Sequence, residues 1–122
     1  SKDGLDEISA AASTHVVEAC DGSIEEYELR PVDLGLEMTS LDGLEVDSAL
    51  ESQDLIRSAL SGAPGDRAVR ARNVVALNAG AALYVAGLQE SVKDGVTEAS
   101  RLLQSGLPWA RVEALADYTA SL

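Results

Sequence analysis

Three carboxylates lie within five residues near the start of the sequence, and they are the residues best suited to chemistry. The run Asp3-Gly4-Leu5-Asp6-Glu7 places two acids side by side after a glycine that permits a sharp bend. Mg²⁺ prefers hard oxygen ligands and usually takes one or two carboxylates, with water and phosphate oxygens completing its shell. The pattern is compatible with a magnesium site, although spacing alone favours a solvated acidic segment. A calcium EF-hand is excluded, because no loop with the required alternating ligands follows.

Two other residue types that often do chemistry occur once each. His15 falls on a predicted strand opposite Glu28, which favours a surface cross-strand pair over a catalytic base. A zinc site would need further histidine or cysteine ligands, and the sequence has one of each. Cys20 lies among acidic residues and lacks the cationic surroundings that activate a thiol, so we interpret it as structural.

An excess of acidic residues excludes several classes of function. Nine Lys and Arg residues stand against 21 Asp and Glu, a formal net charge of −12 in 122 residues. Surfaces that bind nucleic-acid phosphates or anionic lipid need clustered Lys and Arg, so we expect neither nucleic acid nor a membrane as a partner. No apolar stretch approaches the roughly 20 residues that span a bilayer, and the first residues do not form a signal peptide. With a single cysteine, these features predict a cytoplasmic protein.

The first part of the chain predicts a β-hairpin over residues 14–30. Asp21-Gly22 forms its two-residue turn, because this dipeptide accepts the positive φ values that a tight turn requires. The predicted register pairs Cys20 with Ser23, Ala19 with Ile24, Glu18 with Glu25, Val16 with Tyr27, and His15 with Glu28. Pro31 ends the second strand, since its nitrogen has no hydrogen for the ladder. Residues 32–47 predict an irregular connection.

Helical periodicity extends over residues 48–120. Caps and breakers predict four helices: one from about 48 to Leu60 capped by Asp47 or Ser48, one over about 67–86 capped by Asp66, one from Val92 to Gly106, and one with Pro108 in its first turn. The second helix is apolar on nearly every face between Val74 and Val85, which predicts burial on all sides. Gly80 is tolerable within it if a neighbouring backbone approaches closely. A lone hairpin and three helices cannot cover such a helix, so we expect a piece of a larger domain.

Two further groups of residues are interpreted as structural. Arg67, Arg70 and Arg72 form the one basic cluster, which is typical of a solvated helical turn. Trp109 begins an apolar side of the last helix and is interpreted as a core anchor.

The order of these motifs resembles the C-terminal part of the anthranilate phosphoribosyltransferases. Asp3-Gly4-Leu5-Asp6-Glu7-Ile8-Ser9 resembles the metal-binding motif of that family. The resemblance continues through Thr14-His15-Val16-Val17-Glu18, then Tyr27, Leu29, Pro31, Asp33, Gly35 and Leu36, then Leu77-Asn78-Ala79-Gly80-Ala81-Ala82-Leu83-Tyr84-Val85-Ala86-Gly87. Each piece is weak alone, and their combination over essentially the whole chain is specific. Gly80 stands where the family customarily has alanine.

The resemblance implies an activity, a fold and a site. The family transfers the 5-phosphoribosyl group of phosphoribosyl pyrophosphate to anthranilate in tryptophan biosynthesis and releases pyrophosphate. Its fold combines a small helical domain with a larger α/β domain of mainly parallel sheet, usually as a homodimer. By this resemblance Asp6 and Glu7 are the Mg²⁺ ligands on the pyrophosphate side.

The same resemblance implies a division of the chain. We expect residues 1–122 to be the C-terminal part of the α/β catalytic domain, with a metal loop at 3–9, the hairpin at 14–30 and the helical region at 48–120. The family's N-terminal helical domain, its phosphate loop and its anthranilate-contacting residues lie upstream of anything in this sequence. The chain is therefore expected to supply a metal half-site, and to be inactive alone.

Other functions remain as alternatives. A pyrimidine nucleoside phosphorylase shares the architecture, but its chemistry does not need the paired acids of residues 3–7. A non-catalytic nucleic-acid-binding relative would need a basic groove, which the charge of −12 opposes. A stand-alone acidic module would melt cooperatively as a monomer, whereas a fragment would expose apolar surface around residues 74–86.

Overall fold

The computed structural model describes residues 1–37 and 39–122. The elements in chain order are strands β1 (Thr14–Cys20) and β2 (Ser23–Leu29), a short 3₁₀ helix (Pro31–Leu34), and helices α1 (Ala49–Leu60), α2 (Asp66–Val85), α3 (Val92–Ser105) and α4 (Leu107–Ala120). The predicted order of loop, hairpin and four helices is confirmed. Within the described ranges, no helix is long and apolar enough to cross a membrane.

The two strands form an antiparallel hairpin in the predicted register, from Cys20 opposite Ser23 to Thr14 opposite Leu29. Both turn residues have positive φ, 50° for Asp21 and 80° for Gly22, as a tight primed turn requires. One face of this hairpin packs on the helices through Val16, Tyr27 and Leu29.

The side chain of His15 departs from the predicted pair. Its backbone lies opposite Glu28, yet its Nε2 lies 3.6 Å from a carboxylate oxygen of Glu26, the diagonal neighbour on β2. The carboxylate of Glu28 is instead paired with Lys2. His15 is therefore an exposed surface residue, as predicted, with a different partner.

The connection after the hairpin begins more regularly than predicted. Pro31 starts a 3₁₀ turn in which Pro31 and Leu34 are buried, because proline fixes the φ that a first helical turn needs. The Arg30 guanidinium, just before this turn, donates two hydrogen bonds to the Asp33 carboxylate within it, at 2.8 and 2.9 Å. The rest of the predicted irregular segment has no regular element within the described residues, and Met38 lies outside them.

Helix α1 begins with a reciprocal cap. The Ser48 hydroxyl accepts from the backbone N–H of Glu51 at 3.1 Å, and the Glu51 carboxylate accepts from the N–H of Asp47 at 3.1 Å, which satisfies two otherwise free donors. The predicted cap at Asp66 is wrong. Asp66 is the first residue of α2, where its charge suits the helix dipole, and Gly65 occupies the cap position without a side-chain bond.

Helices α2 and α3 cross at two glycines. A Cβ on Gly80 would collide with the backbone of Val96, and a Cβ on Gly95 would collide with the carbonyl group of Gly80. The expected close backbone approach at Gly80 is confirmed. It lets Leu77 and Val96 become fully buried in the core.

Burial of α2 is less complete than predicted. Ala76, Leu77 and Gly80 are buried, whereas Ala82 is exposed and Val85 is 83% exposed. No element of the described chain covers that end of the helix, because the single hairpin and three other helices reach only part of its circumference.

Trp109 and the arginines also differ from their interpretations. Trp109 is half-buried under the Arg57 guanidinium, which lies 5.1 Å from the ring centroid, and it does not anchor a core. Arg67 and Arg72 join α2 to neighbouring segments: Arg67 donates to the carbonyl oxygens of Gly43 and Glu45, and Arg72 donates to the carbonyls of Ala59 in α1 and of Ala63.

Candidate functional site

The predicted metal loop at residues 3–9 is closed by one of its own carboxylates. One oxygen of Asp3 accepts from the Ser9 hydroxyl at 2.6 Å, and the other accepts from the Leu5 N–H at 3.3 Å. Ser9 is fully buried, and its oxygen also accepts from the N–H of Ala11 at 3.0 Å. The Ser9 hydrogen bond is the main cause that holds the pKa of Asp3 below its ordinary value. Asp3 thus shapes the loop.

Asp6 and Glu7, the two predicted metal ligands, lie side by side at the exposed part of this loop. Within the described residues, neither carboxylate accepts a hydrogen bond or forms an ion pair. Of the three acids in the motif, Asp3 is occupied by the fold and the adjacent pair is available to a ligand. The sequence motif indicated Asp6 and Glu7 as the ligands and assigned no role to Asp3, since spacing alone carries no information on which acid closes the loop.

The loop is joined to α2 by the side chain of Asn78. The N–H of Ile8 donates to Asn78 Oδ1 at 2.9 Å, and Asn78 Nδ2 donates back to the carbonyl of Ile8 at 3.0 Å. The same nitrogen donates to the carbonyl of Val74 at 2.9 Å, one turn earlier in the helix. Sequence reasoning missed this contact. Its one signal was a polar residue inside an otherwise apolar helical stretch.

The carboxylates of this loop suit a Mg²⁺ ion that also binds water and substrate oxygens better than a metal ion whose ligands all come from the protein. In the part of the chain that the structure describes, no group of three or more His, Cys, Asp or Glu residues could hold a metal ion. Asp6 and Glu7 offer two hard oxygen donors, and Mg²⁺ commonly binds through one or two carboxylates together with water and substrate phosphates. The residues present therefore fit a magnesium ion shared with a phosphorylated ligand.

Apolar grooves flank the loop on two sides. One, of about 420 Å³, is lined by Ile8 together with residues of the hairpin and of α2. The other, of about 440 Å³, is lined by Leu5 and Glu7 together with residues of α1 and α2. The loop thus lies at the border of apolar surface that the described chain leaves uncovered.

Glu18 holds the hairpin to α2 beside the first groove. Its carboxylate accepts from the hydroxyls of Tyr27, at 2.8 Å, and of Tyr84. The Tyr84 bond, followed by the Tyr27 bond, lowers the pKa of Glu18, and burial with the neighbouring carboxylate raises the pKa of Tyr27 to about 12. Both tyrosines donate to the Glu18 carboxylate, and the bond from Tyr84 links the hairpin to α2, so we interpret the network as structural.

Comparisons with known proteins agree on one family. Residues 1–108 match the model of the glycosyl transferase family, a/b domain. Over 119 residues the chain is 50% identical to anthranilate phosphoribosyltransferase of Marinobacter nauticus, covering 98% of this chain and 35% of that protein. Over 118 residues it is 51% identical to anthranilate phosphoribosyltransferase of Hahella chejuensis, and the match covers 97% of this chain and 34% of that protein.

A solved structure agrees with these sequence matches. The crystal structure of anthranilate phosphoribosyltransferase (TrpD) from Thermus thermophilus superposes with a TM-score of 0.80 at 33% identity, over 92% of this chain and 32% of that one. The predicted fold class, a portion of a phosphoribosyltransferase α/β domain, is confirmed. The chain spans about a third of the length of the relatives it matches. It belongs to the glycosyl transferase family, a/b domain, and the relatives described above are anthranilate phosphoribosyltransferases.

Proposed function

We propose that this chain is the C-terminal part of an enzyme that transfers the 5-phosphoribosyl group from phosphoribosyl pyrophosphate to anthranilate in tryptophan biosynthesis. The observation that carries the proposal is the free carboxylate pair of Asp6 and Glu7 on a loop whose other acid, Asp3, is bound internally. The two anthranilate phosphoribosyltransferases to which the chain is 50% and 51% identical support the choice of reaction.

In this function Asp6 and Glu7 hold Mg²⁺ on the pyrophosphate side of the donor substrate. A bound Mg²⁺ supplies positive charge that neutralises the negative charge developing on the leaving pyrophosphate. Without a cation between them, the two carboxylates would repel the diphosphate, because like charges a few ångströms apart destabilise one another. The acidic pair makes chemical sense beside a phosphorylated substrate only as a metal half-site.

The remaining parts of the site belong to the rest of the enzyme. The uncovered grooves beside the loop and the exposed end of α2 at Val85 support a chain that packs against further protein. We therefore expect the 122-residue chain to be inactive by itself. From the resemblance to its family we expect the intact enzyme to act as a homodimer, and the net charge of −12 favours neither nucleic-acid nor membrane partners. Its exposed free thiol at Cys20 suits the reducing conditions of the cytoplasm.

The test is the magnesium dependence of turnover in the full-length enzyme. Replacing the pair together, as Asp6→Asn with Glu7→Gln, should lower kcat and raise the Mg²⁺ concentration needed for half-maximal rate. The exposed adjacent acids of β2 provide a matched control, Glu25→Gln with Glu26→Gln, which should leave both quantities unchanged.

Two results would contradict the proposal. An unaltered magnesium dependence in the Asp6/Glu7 variant would reject the metal half-site. Phosphorolysis of pyrimidine nucleosides by the wild-type enzyme, without transfer to anthranilate, would favour the nucleoside phosphorylase alternative.

A further inference from the structure

Asn78 is a polar side chain that its own helix does not require. It lies half-buried in the apolar stretch of α2 from Val74 to Val85, where an apolar residue would pack without any polar group to satisfy. Its amide nevertheless makes three hydrogen bonds, and two of them leave the helix to reach Ile8.

The two bonds to Ile8 hold peptide groups on both sides of that residue. The N–H of Ile8 belongs to the same planar peptide group as the carbonyl of Glu7, so fixing one end of that plane fixes the other. The carbonyl of Ile8 belongs to the next peptide group, which leads to the buried Ser9. Holding both groups fixes the position of the Glu7 Cα atom relative to α2 and leaves rotation about its Cα–C bond as the nearest backbone freedom of that residue.

No second helix shares this task in the structure. Across residues 1–37 and 39–122, the hydrogen bonds that join the loop at 3–9 to a helix all involve Asn78. The Asp3–Ser9 bond closes the loop on itself but does not fix its orientation relative to α2. The loop is thus shaped from within by Asp3 and oriented from outside by Asn78.

We propose that Asn78 is a positioning residue for the divalent cation. It holds the peptide group after Glu7, so the loop that carries Asp6 and Glu7 is already ordered when the ion binds. Binding the ion then costs little conformational entropy of the loop. This inference rests on the proposed function and deepens it. Groups that orient metal ligands typically change metal affinity by about 10- to 100-fold when they are removed.

The experiment measures cation affinity directly in the full-length enzyme, with Mn²⁺ as the paramagnetic probe and phosphoribosyl pyrophosphate present. Asn78→Ala and Asn78→Ser should weaken Mn²⁺ binding by about tenfold or more. Asn73→Ala is the matched control, because Asn73 is half-buried in the same helix and makes no side-chain hydrogen bond among the described residues. Its Mn²⁺ affinity should equal that of the wild type.

A second readout separates positioning from general loss of structure. In the Asn78 variants, saturating Mg²⁺ should restore most of kcat while the half-saturating Mg²⁺ concentration stays raised and the KM for anthranilate is unchanged. A general loss of structure would lower kcat at every Mg²⁺ concentration.

Each contrary outcome has a distinct meaning. If Asp6→Asn with Glu7→Gln binds Mn²⁺ like the wild type, the metal assignment itself fails. If that variant loses Mn²⁺ while both folded Asn78 variants retain wild-type affinity, the positioning role alone fails. The serine variant keeps a donor for the carbonyl of Val74, so it decides the matter if the alanine variant does not fold. If neither folds, Asn78 serves the fold and the positioning role is overturned.

Discussion

The hydroxyl of Ser9 donates a hydrogen bond of 2.6 Å to the carboxylate of Asp3, inside the loop that carries the two free acids. Ser9 is fully buried and also accepts from the backbone of Ala11, so a single oxygen joins both ends of the turn. This relationship separates the acid that builds the loop from the acids that face outward.

Ser9→Ala should therefore destabilise the protein by about 1–3 kcal/mol, because it leaves the N–H of Ala11 without an acceptor. Chemical denaturation of the full-length enzyme measures this change in the free energy of unfolding. Ser100→Ala is the control, since Ser100 is half-buried in α3 and its hydroxyl makes no hydrogen bond within the described residues. Equal stability of both variants would show that the loop does not depend on the Asp3–Ser9 bond.

Gly95→Ala should separate α2 from α3. The added methyl group would collide with the carbonyl of Gly80, which is backbone and cannot rotate away. Overpacking of a well-filled core costs about 1–3 kcal/mol, and we expect a loss at the upper end of that range. The melting temperature of the full-length enzyme measures it, and an unchanged value would contradict the described helix crossing.

Tyr84→Phe should weaken the protein at neutral pH more than at acid pH. The hydrogen bond from Tyr84 is the main cause that lowers the pKa of Glu18 below its ordinary value of 4.5. A lowered carboxyl pKa stabilises the folded state above that ordinary value and loses this contribution as the pH falls through the folded pKa. The free energy of unfolding of wild type and variant, measured across pH 4.5 and below, should converge.

Tyr118→Phe is the control for that comparison, because Tyr118 is exposed on α4 and its hydroxyl contacts no acid among the described residues. It should follow the wild type at every pH. A Tyr84→Phe variant whose deficit stays constant across the acid range would mean that Glu18 is not held by this bond.

Alkaline pH should lower the free energy of unfolding partly by ionising Tyr27. Its pKa is raised to about 12, first by burial and then by the bond to Glu18. A raised pKa gives stability that is fully present below the ordinary value of 10 and is lost as the pH rises toward 12. Tyr27→Phe should remove this part of the alkaline loss, and an identical alkaline decline in the variant would contradict the assignment.

His15→Ala should leave turnover nearly intact. The imidazole is exposed on the hairpin, and its Nε2 lies 3.6 Å from a carboxylate oxygen of Glu26. Even a fully charged pair between exposed side chains contributes only about 0–1 kcal/mol to stability. Steady-state kinetics of the full-length enzyme test the expectation, and a large fall in kcat would give His15 a catalytic role.

Local signals predicted most of the fold. Asp21-Gly22 determined the hairpin register, and Ser48 determined the start of α1, because each acts within a few residues of itself. The burial of Trp109 and of the end of α2 could not be predicted in the same way. Burial depends on which other parts of a protein reach a surface, and sequence periodicity only indicates that a surface is apolar.

The residues of the candidate site show the same difference between what a local motif can indicate and what only a long-range contact can show. The identity of Asp6 and Glu7 as candidate ligands came from a short motif. The roles of Asp3 and Asn78 came from three-dimensional contacts, one of which joins positions 70 residues apart. Such a contact leaves no pattern of spacing, so only the structure could assign it.

The most direct test of the central claim is calorimetric titration of Mg²⁺ and phosphoribosyl pyrophosphate into the full-length enzyme. We predict that wild type binds the pair together, and that Asp6→Asn with Glu7→Gln loses the magnesium-dependent part of that binding while keeping the wild-type melting temperature. Magnesium-dependent binding of equal strength in both proteins would contradict the account.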